Sequence, residues 1–271
     1  MPATEISPDQ TPAGWTEGAP DYERWFAPVT RRFAVDAVGL LGLATGDRFL
    51  DVAAGTGALA LAAARAGAEI VATDFAPGMV RLLGDRLAAE GVPGTALQMD
   101  GQALDLPDDA FDAAGSLFGL IFFPDTAAGM RELARVVRPG GRVLVGAWHR
   151  AGFSLPYTVM RALRGVVPGM QPLSEFVPFR LGEPEAVRDL LLSAGLRDVR
   201  VELTTHVADV PDPAGMFLAV PQWGAPMRPL FDALTDEQRE RAALAFAELI
   251  TAPGDPVGRL PGTAILGVGT V

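Results

Sequence analysis

The stretch from Phe49 to Ala60 constrains the fold most, because a short apolar run passes through Gly55-Thr-Gly57 and straight into a helical pattern. Glycines spaced in this way allow turn conformations closed to other residues and let a ligand lie against bare backbone. The helix that follows aims its free N–H groups at whatever the turn holds. Downstream, Glu69-Ile-Val-Ala-Thr-Asp74 is a second apolar strand, ending in a carboxylate where a ribose diol would lie. Strand, glycine turn, helix, strand and terminal acid, in that order, predict a crevice for an adenosine-bearing cofactor.

The same alternation extends along the chain. Strands are expected at 48–53, 69–74, 95–99, 111–118 and 142–148. Helices are expected at 57–66, from Pro77 to near Gly91, and from a cap at Asp125 to the break at Arg138-Pro-Gly-Gly141. A helix from Pro184 to Ala194, an alternating strand at 199–207, a capping box Thr235-Asp-Glu-Gln238 opening a helix to Ile250, and a last strand at 263–270 complete the pattern. This rhythm predicts the α/β class: a Rossmann-like, seven-stranded, mostly parallel sheet with helices on both faces, plus N-terminal helices and lid insertions. Residues 1–19 read as a flexible polar tail, followed by a short helix capped by Asp21 and a second through Phe33, Val38 and Leu41. Residues 20–271 form a single domain, with a cofactor-binding core at 45–150 and substrate lids at 150–182 and 211–250.

Composition removes whole classes of chemistry. The net charge is −11 and no basic run could track phosphates, so nucleic acid is not an expected partner. Every basic residue is Arg, which excludes a P-loop lysine, a Schiff-base lysine and a lysine general base. There is no Cys and only His149 and His206 as imidazoles, so disulfides, thiol nucleophiles and Cys/His zinc spacings are absent and no metal is expected. The N-terminus lacks the charge and apolar core of a signal peptide. The longest apolar stretch, Ala58 to Ala72, carries Arg65 and Glu69 and is too short to span a bilayer, so a cytoplasmic protein with no membrane partner is expected.

Dinucleotide and S-adenosylmethionine enzymes share this topology, so residues must separate them. Position 60 is Ala where a dinucleotide fingerprint has its third glycine. Asp51, four residues before Gly55, would repel a pyrophosphate and suits an ammonium group instead. Taken together, Leu50-Asp-Val-Ala-Ala-Gly-Thr-Gly57, Thr73-Asp74, Met99-Asp-Gly-Gln102 with Leu106-Pro107, Phe111-Asp112, and Leu133-Ala-Arg-Val-Val-Arg-Pro-Gly-Gly-Arg-Val-Leu144 resemble the successive motifs of class I S-adenosylmethionine-dependent methyltransferases. The nearest branch is that of ubiquinone/menaquinone-biosynthesis and small-molecule natural-product enzymes. The resemblance covers residues 45 to 150, with Ala54 where many relatives carry Cys or Gly.

It implies that Asp51, Ala53, Gly55 and Gly57 line the methionine end of S-adenosylmethionine and that Asp74 holds both ribose hydroxyls. Asp100 would accept the adenine amino group, with Gly101 and Gln102 beside the ring, Phe75 or Ala76 flanking the adenine, Ser116 meeting the methionine portion and Tyr22 folding over the cofactor. The strand-end placement of these groups is physically sound, since a carboxylate accepts two hydroxyls or one amine. His149, just after the fifth strand, is the candidate catalytic base, and His206 belongs to a solvated strand face. Aromatic residues outside the sheet, with Phe118, Phe122 and Phe123 after the fourth strand, suggest a hydrophobic or aromatic small-molecule acceptor. The expected reaction is methylation, first of oxygen, otherwise of nitrogen or carbon, in specialised metabolism. The alternatives are a cofactor-retaining cyclase or another non-methylating enzyme on this fold and, further off, a nicotinamide-dependent oxidoreductase. A homodimer is left open.

Overall fold

The computed structural model describes residues 11–150, 154–167, 169, 180–255 and 257–271. Two helices, α1 (Pro12–Trp25) and α2 (Ala27–Leu41), precede the sheet. Strands β1 (Arg48–Val52), β2 (Glu69–Asp74), β3 (Gly94–Gln98), β4 (Phe111–Leu117) and β5 (Val137–Trp148) are parallel where they pair and are linked by α3 (Ala58–Arg65), α4 (Pro77–Ala89) and α5 (Thr126–Val136). Helices α6 (Leu155–Arg164) and α7 (Pro184–Ser193) lead to β6 (Arg197–Val210). Helices α8 (Pro213–Leu218), α9 (Val220–Trp223), α10 (Arg228–Asp232) and α11 (Asp236–Ile250) lead to β7 (Gly258–Thr270).

The seven strands form one sheet in the order β3-β2-β1-β4-β5-β7-β6, with β7 antiparallel to both β5 and β6. Strand order reverses between β1 and β4, and a crevice opens at the carboxyl ends of strands at such a switch point. Apolar side chains along the parallel strands make the core continuous: Phe49, Leu50, Ala114, Val143, Leu144 and Val145 are fully buried. Among the described residues no helix is long and apolar enough to cross a membrane.

Local chemistry accounts for the element ends. Thr235 and Gln238 form the reciprocal capping box that opens α11, and the Asp125 carboxylate accepts the Ala128 N–H at 2.8 Å to open α5. The sheet differs from expectation where α5 gives way to β5. No loop intervenes: Val137 already pairs with Phe111, and the register slips before Ala113 meets Arg142. Arg138-Pro-Gly-Gly141 is therefore an irregularity within the strand pair. The β6–β7 pair is also longer at both ends than alternation alone indicates.

Residues 12–19, expected in a polar tail, are helical. Thr11 caps α1 by accepting the Gly14 N–H at 3.2 Å, Pro12 occupies the first turn, and Asp21 lies inside the helix. Helix α1 has a small apolar cluster of its own, with Ala19, Ala76 and Met79 buried under Trp15, Tyr22, Phe75 and Leu82. Among its hydrogen bonds to the rest of the domain, one runs from the Gly78 N–H to Thr16 Oγ1, at 3.2 Å. A Cβ on Gly78 would stand 2.7 Å from the Thr16 carbonyl oxygen and 2.8 Å from its Cα, so only glycine allows this approach. Gly78→Ala is expected to cost about 1–3 kcal/mol, read from urea denaturation midpoints.

Candidate functional site

A cavity of about 330 Å³ occupies the crevice. The turn after β1 forms its floor and is wound unusually tightly, with Ala53, Gly55 and Gly57 all at positive φ (55°, 55° and 88°). Gly55 presents its bare Cα to the cavity, whereas Gly57 lies behind the wall, where a Cβ would stand 2.3 Å from Leu83 Cδ1. Ala53 holds a conformation that glycine adopts freely. The strained non-glycine position in the turn is thus Ala53, and Ala54 is not at positive φ. Gly119 accommodates the turn, since a Cβ there would be 2.5 Å from that of Ala53.

Two buried acids hold this turn together. Asp74 Oδ2 accepts the Gly55 N–H at 2.8 Å and Oδ1 accepts the Ala76 N–H at 2.9 Å, joining the β1 and β2 turns through one carboxylate. Asp51 Oδ2 accepts the Ala60 N–H at 2.9 Å, serving as a remote cap for α3, which has no side-chain cap at its own N-cap residue. Burial pushes Asp74 up to about 6 against the pull of the Ala76, Gly55 and Phe75 N–H groups. Burial likewise pushes Asp51 up to about 8, with the Ala60 N–H opposing and the Asp74 charge adding to the rise. Among the described residues lining the cavity there is no Arg, Lys or His to offset them.

Asp100, Gly101 and Gln102 form the adjoining wall. The Asp100 carboxylate accepts the Gln102 N–H at 2.9 Å, and Gln102 Oε1 accepts the Asp125 N–H at 2.8 Å, which locks the turn. A Cβ on Gly101 would meet Phe123 Cζ at 2.5 Å and Val52 Cγ1 at 2.7 Å. Phe75 also faces the cavity. Tyr22 closes it from α1; its phenol is hydrogen-bonded to the Thr30 side chain, and burial holds its pKa well above the usual range.

The site therefore gathers Tyr22, Asp51, Ala53, Gly55, Asp74, Phe75, Asp100, Gly101 and Gln102 around one space. Ser116 and His149 are placed elsewhere. Ser116 is fully buried and its Oγ accepts the Leu120 N–H at 3.1 Å, while Leu117, Phe118 and Gly119 meet the cavity in its stead. His149 donates its backbone N–H to the Thr263 carbonyl at 3.0 Å and its side chain is not on the cavity wall. His206 is half-buried, with Nε2 2.6 Å from Asp36 Oδ2 and its ring edge-on to Phe33.

An aromatic wall completes the site. Phe118 stacks on Trp148 with ring centroids 3.9 Å apart and planes 7° from parallel, and the backbone of Phe118 takes a positive φ of 62° to place it there. Trp15 sits edge-on to Phe122 at 5.2 Å, and Phe26 bridges Tyr22 and Trp148. Trp15, Phe26 and Thr30 were not legible as site residues. Trp15 was within reach, because Thr11-Pro12 is a helix-start signature. Met216 and Phe217, expected in a lid, pack instead with Phe231 and Phe246 in the core, and of the 150–182 segment residues 151–153, 168 and 170–179 lie outside the described residues.

Comparisons with known proteins agree with this geometry. A family model described as a methyltransferase domain matches residues 50–145. An uncharacterized protein of Mycobacterium tuberculosis is 38% identical over 155 residues, covering 55% of this chain and 56% of that one, so the matched part spans about half the length of such relatives. Demethylmenaquinone methyltransferase of Thermus thermophilus is 36% identical over 183 residues, covering 60% of this chain and 83% of that one. A crystal structure of a candidate methyltransferase from Bacillus halodurans shares the fold, with a TM-score of 0.58 at 17% identity, over 88% of this chain and 97% of that one. The glycine turn, its clasping acid and these matches define a Rossmann-like cofactor-binding protein. The chain belongs to the class I S-adenosylmethionine-dependent methyltransferases.

Two measurements test the electrostatics and strain of the turn. Asp51 and Asp74 keep protons in the folded protein that they lose when unfolded, so stability falls as pH rises from about 5 to above 8. Denaturation midpoints across that window should show the decline, flattened in Asp51→Asn; Asp112 and Glu132, whose carboxyls are held low by their Arg48/Arg138 and Arg135 partners, titrate below it. Ala53→Gly is expected to stabilise by up to about 1 kcal/mol as left-handed strain is relieved against added chain entropy, while Ala53→Val destabilises.

Proposed function

We propose that the chain transfers a methyl group from S-adenosylmethionine to a hydrophobic or aromatic small molecule, with oxygen the first acceptor atom and nitrogen or carbon the alternatives, in specialised metabolism. The observation that carries this reading is the single cavity that joins an acid-clasped glycine turn to an aromatic wall. The residues present suit the cofactor. Asp74 keeps lone pairs beyond its two backbone bonds, as two ribose hydroxyls require, and the bare Cα of Gly55 leaves room beside it. Asp51 and Asp74, buried without a cation, favour a positively charged ligand.

When bound, S-adenosylmethionine supplies an electrophilic methyl group on a sulfonium. The chain's part is to bind, align and exclude water. Asp74 and the Asp100–Gln102 turn hold the nucleoside end, and Asp51 faces the aminoacyl end. Phe118, Trp148 and Phe26 give the acceptor flat apolar surfaces on which to stack. The cavity wall carries the carboxylates of Asp51, Asp74 and Asp100 and the Tyr22 phenol, and alignment of the acceptor with the methyl group supplies the acceleration. Pro156 and Val159 of α6 with Gly224, Pro226 and Met227 form the acceptor end, consistent with lid roles for the segments that carry them. The demethylmenaquinone acceptor for which the Thermus relative is named supports the same class. The acceptor is the expected partner, with neither nucleic acid nor a membrane required.

Calorimetry with S-adenosylmethionine and its demethylated product tests the reading. Saturable binding is expected, tightening as pH rises from about 6 to 8 while the acids ionise. Asp74→Asn should weaken binding by about 100-fold and lower turnover with it. Binding of a nicotinamide dinucleotide in preference would sink the proposal.

A further inference from the structure

Behind the glycine turn, outside the cavity, a cluster of charged side chains joins α1, α2 and α4. Arg86 of α4 is its centre, with a side chain only 18% exposed. Its Nη1 donates to the Thr56 carbonyl at 2.5 Å and lies 3.5 Å from Glu23 Oε2 of α1, so one nitrogen stands between the cofactor turn and the N-terminal helix. Its Nη2 lies 3.5 Å from Glu90 Oε1, just past the end of α4, which tethers the other arm of the guanidinium.

Each partner of that nitrogen is continuous with something that meets the cavity. The Thr56–Gly57 peptide lies inside the turn, and its N–H side is already committed, Gly57 donating to the Ala54 carbonyl at 2.9 Å. Arg86 holds the carbonyl side, which sets the plane of the peptide. Glu23 directly follows Tyr22, whose ring closes the cavity, and its Oε1 is ion-paired with Arg31 of α2. Its Oε2 is buried and accepts no hydrogen bond, so the facing Arg86 charge is what compensates it. The dependence is mutual: burial disfavours the charge on Arg86, and Glu23 is the largest influence opposing that cost. Removing one member of such a pair leaves the other charge uncompensated, so the elements that carry them are held together.

We infer, on the reading that the crevice binds S-adenosylmethionine, that Arg86 is a positioning residue for the cofactor: through one nitrogen it ties the plane of the glycine turn to the seat of Tyr22. Floor and lid of the cofactor end then hold the ligand as one unit. Arg86 does not line the cavity, and its effect reaches the ligand through Thr56 and Tyr22, which do. Arg65 of α3 belongs to the same cluster, pairing with Glu90, but among the described residues it bonds to neither the turn nor α1. It is therefore the control for a general loss of surface charge.

Amide hydrogen exchange on the free protein and calorimetry with the demethylated cofactor test the tie from two sides. Arg86→Met is expected to speed exchange about tenfold in both the turn, residues 55–60, and the end of α1, residues 22–26. Glu23→Gln, an isosteric change in α1, should loosen the turn as well as its own helix, and it keeps the test intact where Arg86→Met lowers the thermal midpoint. Each variant should weaken cofactor binding by about tenfold. The double variant should bind no more weakly than the weaker of the two, because both remove one contact, whereas independent losses would multiply to about a hundredfold. Arg65→Met should alter neither readout. Multiplying losses of affinity, loosening by Glu23→Gln confined to α1, or an Arg65→Met variant that matches Arg86→Met would each overturn the inference. A native protein that binds no demethylated cofactor, with the paired loosening still present, would sink the methyltransferase reading and uphold the tie between turn and helix.

Discussion

One carboxylate organises the crevice. Asp74 accepts backbone N–H groups from Gly55 and Ala76 on its two oxygens, so the turns that follow β1 and β2 are fixed to each other across 19 residues of chain. Charge-assisted bonds of this kind are about twice as strong as neutral ones. Asp51 performs the parallel task one strand over, where its bond to the Ala60 N–H completes the first turn of α3. Outside the cavity Arg86 Nη1 donates to the Thr56 carbonyl at 2.5 Å, so the turn is also held from behind. The floor of the site is therefore shaped before any ligand arrives, which is what a reaction driven by alignment needs.

The wall opposite is built on different principles. Trp15, Tyr22 and Phe26 come from α1 and its end, Phe118 and Phe122 from the region after β4, and Trp148 from the end of β5. Each ring touches the next, with Phe33 edge-on to both Phe118 and Trp148 as the link to the main core. Aromatic pairs in such contacts contribute about 0.5–1.5 kcal/mol beyond their burial. Helix α1 meets the main core through Tyr22 and Trp25 and adds a small cluster of its own, together with the Thr16–Gly78 bond and the Arg228–Glu17 ion pair at 2.7 Å.

How much of this is legible in the residues follows from the range of the interactions. The β1 turn, the order of the parallel strands and the acid at the end of β2 are local patterns, and the structure places them where periodicity and turn chemistry put them. Ser116 shows an ambiguity that recurs at strand ends: a hydroxyl there can face a ligand or cap the next turn, and in this structure its Oγ accepts the Leu120 N–H. Trp15 and Thr30 are close to Tyr22 in sequence, yet their meeting with the β1 turn depends on how α1 folds back, which no window of a few residues encodes. The antiparallel insertion of β7 between β5 and β6 is likewise a matter of long-range pairing.

The strained positions share an explanation with the charged ones. Ala53 and Phe118 hold left-handed backbone, and Asp51 and Asp74 are buried acids without a cationic neighbour on the cavity wall; each is unfavourable for the protein alone. Two of the four left-handed non-glycine residues in the described chain, Ala53 and Phe118, line this one cavity. Elsewhere the chain conforms to its local rules, with Thr235 and Asp125 in cap positions and Gly42 and Gly195 at the ends of helices. Sequences violate such rules mainly where function demands it. A bound cation would relieve the acids directly, and a ligand packed against Phe118 and Ala53 would make their strained positions useful.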